Sequence, residues 1–119
     1  MNEMKKTIFL DIDGCILYHK GNLSNQMLLK PELLSNVIEK LNEWEAEGHK
    51  IILITGRKES MRNLTENQLE KLGIFYDQLI MGINRGERIL INDFKSNSNC
   101  AMATAINVER NKGLADIEI

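Results

Sequence analysis

The sequence predicts a parallel α/β fold, and three features of it point that way. Short apolar runs that read as strands, Ile8-Phe9-Leu10 and residues 50–54 (KIILI), alternate with amphipathic stretches that read as helices. Each of these runs gives way at its end to polar residues, Asp11-Ile12-Asp13-Gly14 after the first and Thr55-Gly56-Arg57 after the second. The run at 50–54 is apolar almost throughout, as a strand covered on both faces by right-handed crossovers requires.

Taken in order, the first strand leads into residues 15–30, two short extended runs about Lys20-Gly21-Asn22 that predict a small β-hairpin flap. Pro31 occupies the favoured first position of a helix. Leu34, Val37, Ile38, Leu41 and Trp44 recur along it at three- and four-residue spacing until Gly48 ends it. A second helix is expected from about Ser60 to Leu72, with Met61, Leu64, Leu69 and Leu72 inward and Gly73 at its end. Further strands are expected at about Gln78 to Met81, Arg88 to Ile91 and Ala103 to Asn107, with Arg88 to Ile91 running straight into Asn92-Asp93. A chain of 119 residues fits one domain, 1–119, with no room for a second core.

Composition narrows the function classes. Hydrophobic residues at 43% and charged residues at 27% argue against disorder and against a coiled coil. The formal net charge of −2 argues against a surface that holds nucleic acid or anionic lipid by bulk electrostatics, so nucleic acid is not the expected partner, although a local basic pocket is compatible with that charge. No stretch approaches membrane-spanning length, and Asp11 interrupts the N-terminal apolar run before it could serve as a signal core, so no membrane partner is expected. Cys15 and Cys100 match no metal-binding spacing and fit a reducing compartment, which makes the cytoplasm the expected location.

The polar strand ends carry the chemistry. In an open parallel sheet the carboxyl ends of the strands share one edge, where ligands bind, and three such ends here carry Asp11-x-Asp13, Thr55-Gly56-Arg57 and Asn92-Asp93. Asp11, held by the sheet, can attack phosphorus. Asp13, two residues on and on the same side of an extended chain, can protonate the leaving oxygen and later deprotonate the attacking water. Mg²⁺ takes oxygen ligands and keeps several waters, so Asp11, the Asp13 carbonyl and Asp93, or Asn92 in its place, form a sufficient set. Thr55 can hydrogen-bond a phosphate oxygen, and Gly56 lets a backbone N–H approach it.

These residues resemble the motifs of the haloacid dehalogenase-like superfamily of phosphohydrolases: DIDGC its first, TGR its second and INDF its fourth, in order over about residues 6–107. The resemblance implies a Rossmann-like three-layer domain and a Mg²⁺-dependent phosphomonoester hydrolase that works through an aspartyl-phosphate on Asp11. It also implies a basic third-motif residue, for which Arg85 and Arg88 are the candidates and Arg57, Lys58 and Lys95 the outsiders; Thr55, Gly56, Arg57 and Arg85 are the expected substrate-binding set. Neither gap between motifs holds a cap domain, so an open site is expected, with the hairpin near Gly21 as the contact for a second subunit acting as lid. A small phosphorylated substrate, a sugar phosphate or related metabolite, is the leading expectation. The alternatives are a phosphatase of phosphorylated nucleic-acid ends and a catalytically weak binding or assembly module on the same fold.

Overall fold

A computed structural model describes residues 4–97 and 100–119. Strands β1 (Thr7–Asp11), β2 (Lys50–Ile54) and β3 (Gln78–Ile80) form one parallel sheet in the order β1-β2-β3. The register pairs Asp11 with Ile54 and Ile54 with Ile80, so these three residues form a row at the C-terminal rim of the sheet. In the central strand Ile51 and Leu53 alternate with half-buried neighbours and are 3% and 0% exposed. Helix α2 (Val37–Ala46) packs on β2 and turns Val37, Leu41 and Trp44 inward. Each large apolar side chain buried in this way contributes about 1.5–3 kcal/mol.

The flap after β1 has paired arms and a helical tip. Tyr18 N–H donates to the Glu32 carbonyl, Leu34 N–H donates to the Ile16 carbonyl, and Leu17 bridges Leu33 in antiparallel sense. The tip carries α1 (Leu23–Leu28), capped by the Asn22 side chain, which accepts from Asn25 N–H at 2.8 Å. The flap pairing moves the start of the next helix. Glu32 to Leu34 are engaged with residues 16–18, so α2 begins at Val37 instead of Pro31, after Asn36 in a left-handed conformation at φ 62°. The later helix is a 3₁₀ turn (Glu59–Met61) running into α3 (Arg62–Lys71), whose buried residues are Thr65, Gln68 and Leu69.

Two expected strands are absent. Residues 88–91 and 103–107 form no ladder, and Ile89, Leu90 and Ile91 are 78%, 61% and 89% exposed. A parallel neighbour for β1 would have to start at the opposite rim of the sheet. Reaching that rim takes a crossover of a dozen or more residues, against about six between Gly82 and Glu87. The chain instead stays at the C-terminal rim, where Arg88 Nη2 lies 4.0 Å from Asp11 Oδ1. β1 is therefore an edge strand, with Phe9 half exposed. The chain rejoins the body at Asn111, whose N–H donates to the Gly14 carbonyl, and at Leu114, which is fully buried. No helix among the described residues is long and apolar enough to cross a membrane.

Candidate active site at the C-terminal rim of the sheet

Asp11 is the last residue of β1, and its side chain is 37% exposed. Its Oδ1 accepts from Ile12 N–H at 2.9 Å, and among the described residues its Oδ2 accepts nothing. Burial pushes its pKa up, opposed by the Arg88 guanidinium and the Ile12 N–H and aided by the Asp13 charge. This carboxylate is held in place through Oδ1, with Arg88 Nη2 4.0 Å from that oxygen and Oδ2 left open.

Asp13 is in the opposite situation. Its Oδ2 accepts from Arg57 Nε and its Oδ1 from Arg57 Nη2, both at 2.8 Å, a bidentate pair, and Oδ1 also accepts from Gln26 Nε2 at 2.6 Å. Arg57 Nη1 donates to Thr65 Oγ1 at 3.0 Å and Gln68 Oε1 at 2.7 Å, and Gln68 Nε2 donates to the Gln26 carbonyl at 3.0 Å. Every nitrogen of the Arg57 guanidinium is thus engaged inside the protein, and the side chain is 1% exposed. Arg57 joins β2, α1 and α3 around Asp13; it presents no donor to a ligand. The expectation of a phosphate-binding Arg57 gives way to this network because the flap helix and α3 close over the strand end.

Thr55 is buried, and its Oγ1 accepts from Arg57 N–H at 3.1 Å, which shapes the turn after β2. Gly56 follows it, and a Cβ there would lie 3.4 Å from the Ile83 carbonyl oxygen. Arg85 is exposed, whereas Arg88 is the cation that lies beside Asp11. Asn92 and Asp93 are exposed in the extended segment, Asn92 Nδ2 donating to the Met102 carbonyl. Among the described residues no three His, Cys, Asp or Glu side chains converge as a metal site, so Asp11, Asp13 and Asp93 do not meet as one. The donor set still suits a hard cation of the Mg²⁺ type, which is commonly held by one or two carboxylates plus water and substrate phosphate: Asp11 offers a free, partly desolvated carboxylate oxygen.

No protein-family model and no curated protein matches the sequence. Among the solved structures that match the fold are chains of two complexes. A chain of the structure described as a Pnkp1/Rnl/Hen1 complex superposes with a TM-score of 0.59 at 28% identity, over 75% of this chain and 32% of that one. A chain of the Pnkp1/Rnl/Hen1 RNA repair complex gives 0.58 at 29% identity, over 71% of this chain and 28% of that one. The fold is Rossmann-like. The protein spans about a third of the length of those chains.

These neighbours overturn the expectation of a small substrate with nucleic acid set aside, because both belong to complexes of which one is an RNA repair complex. A net charge of −2 sums over the whole surface and is silent on where the cations sit. Sequence reasoning also missed Gln26, Thr65 and Gln68. Thr65 and Gln68 stand three apart on the same helix face as Leu69, a polar interruption of the inward face that signals a buried network. Gln26, on a helix that read as a strand, carried no such signal.

Proposed function

We propose that the protein is a phosphomonoester hydrolase of the haloacid dehalogenase-like kind that acts on phosphorylated nucleic-acid ends, RNA ends above all. One observation carries the chemical half: Asp11 ends β1 half exposed, with a free Oδ2, beside an Asp13 whose orientation is fixed by Arg57 and Gln26. The likeness to chains of an RNA repair complex supports the substrate half.

In this mechanism Asp11 Oδ2 forms a bond to phosphorus, and the bond to the ester oxygen of the nucleotide breaks, leaving an aspartyl-phosphate and an alcohol. Asp13 in its protonated form gives a proton to the departing oxygen. Water then attacks phosphorus, Asp13 takes its proton, and inorganic phosphate leaves with Asp11 regenerated. The bidentate Arg57 fork engages both oxygens of the Asp13 carboxyl at 2.8 Å. Donating a proton requires the carboxyl to turn out of the arginine fork. Mg²⁺ held by Asp11 and the Asp13 carbonyl, with water and substrate phosphate filling the rest of its shell, would offset the repulsion between carboxylate and phosphate. Arg88 beside Asp11 serves the same end as the basic residue of the third motif.

Release of inorganic phosphate from 3′-phosphorylated RNA and DNA oligonucleotides, compared with a panel of sugar phosphates, tests the proposal. Faster turnover of the oligonucleotides supports it, and turnover of sugar phosphates alone overturns the substrate half. A second reading, a binding module on this fold, is favoured by the exposed placement of Asn92-Asp93. It predicts oligonucleotide binding with no phosphate release.

A further inference from the structure

We propose that Arg110 and Arg88 form a two-arginine seat for a nucleic-acid end, Arg88 at the terminal phosphate and Arg110 at the adjoining internucleotide phosphate, a proposal that rests on the nucleic-acid reading above and specifies how the end is held. With every nitrogen of Arg57 engaged internally, the anionic substrate needs other cations. Arg88 approaches Asp11 to 4.0 Å from one end of the exposed segment, with its side chain 44% exposed. Arg110 arrives from the other end. A Cβ built on Gly14 would lie 3.3 Å from Arg110 Cγ and 3.9 Å from its Nε, so the arginine stem lies over the loop that carries Asp13.

The position of Arg110 is fixed by its neighbour. Asn111 adopts a left-handed conformation at φ 66° and donates its N–H to the Gly14 carbonyl at 2.9 Å. Its Oδ1 accepts from His19 N–H at 2.8 Å. Leu114, 1% exposed, anchors the chain just beyond, its N–H donating to the Ser35 carbonyl. A left-handed asparagine and a buried leucine thus station one exposed arginine beside the first-motif loop, and Arg110 forms no ion pair among the described residues. A guanidinium matches the geometry of phosphate oxygens. One near Asp11 and one over Gly14 suit a ligand with two successive phosphates, which a nucleic-acid end has and a simple monoester lacks.

The test is a fluorescence-anisotropy titration of short RNA, 3′-phosphorylated and 3′-hydroxyl, over a range of salt concentrations, with wild-type protein, Arg110→Ala, Arg110→Lys, Arg88→Ala and the remote control Lys71→Ala. Arg110→Ala is expected to weaken binding of both RNAs about tenfold and to reduce the salt slope by about one. Arg110→Lys should retain the slope, and Arg88→Ala should weaken the phosphorylated RNA more than the hydroxyl-ended one. The seat is refuted if Arg110→Ala binds within about twofold of wild type, if Lys71→Ala loses as much, or if wild-type protein binds neither RNA. Binding is read apart from turnover: weakened binding with no phosphate release sinks the hydrolase reading and leaves the seat standing, whereas release with undiminished Arg110→Ala binding does the reverse.

Discussion

Arg57 and Asp13 are two charges buried against each other, with side chains 1% and 12% exposed. Breaking such a pair from one side leaves an uncompensated charge in the interior and costs about 3–5 kcal/mol. Arg57→Ala is therefore expected to lower stability by about 3 kcal/mol, read as a fall in the urea midpoint at unchanged m-value. Cys15 gives a second prediction at this scale. Burial, with the Asp11 charge behind it, pushes its thiol up to about 11, and the nearby Arg88 only partly offsets this. The thiol form is favoured at every lower pH, so Cys15 in native protein should resist iodoacetamide at neutral pH and react only as the pH approaches that value. Mass spectrometry of the alkylated protein checks it; rapid native modification of Cys15 at pH 7 would contradict the packing described.

At the scale of elements, the return of the chain depends on a glycine. Gly113 sits at φ 83°, and a Cβ there would lie 2.3 Å from the Ser35 carbonyl oxygen and 2.8 Å from its nitrogen, both backbone atoms. Gly73, at φ 75°, has nothing within 4 Å. Gly73→Ala should then cost only the left-handed penalty, about 1–2 kcal/mol, and Gly113→Ala about 3 kcal/mol or more, since the backbone itself must shift. Thermal denaturation of the two variants side by side checks the ordering. The same scale explains what could be read in advance. The strands at 7–11, 50–54 and 78–80 were legible because apolar runs bounded by turn residues are local signals. The start of α2 was not, because Glu32 to Leu34 pair with residues 16–18 across the flap, a contact that leaves no mark on local periodicity. Residues 88–91 carry a strand-like run, yet the short connection from β3 holds them at the wrong rim, and length overrides propensity. In the site, the Asp11–Asp13 spacing was visible in the sequence. The arginine fork on Asp13 was not, since it depends on α1 and α3 meeting over β2.

The whole molecule is elongated, 51 × 29 × 25 Å, with a radius of gyration of 15.2 Å against about 13–14 Å for a compact domain of this length. The excess reflects a segment in which every described residue from Asn84 to Asn107 is exposed, while both of its ends are tied to the rim that carries Asp11. Arg88 near its start and Arg110 just beyond its end are the placements that the net charge concealed. The Asp11 carboxylate beside Arg88 is the point on which the account turns. Asp11 is held at a strand end with its ionised form disfavoured by burial, so replacing it with asparagine should leave the melting temperature unchanged or slightly higher while removing the nucleophile. The most direct measurement is phosphate release from a 3′-phosphorylated RNA oligonucleotide in the presence of Mg²⁺ by wild-type protein and by purified, folded Asp11→Asn. The account predicts release by the first and none by the second; equal release by both would contradict it.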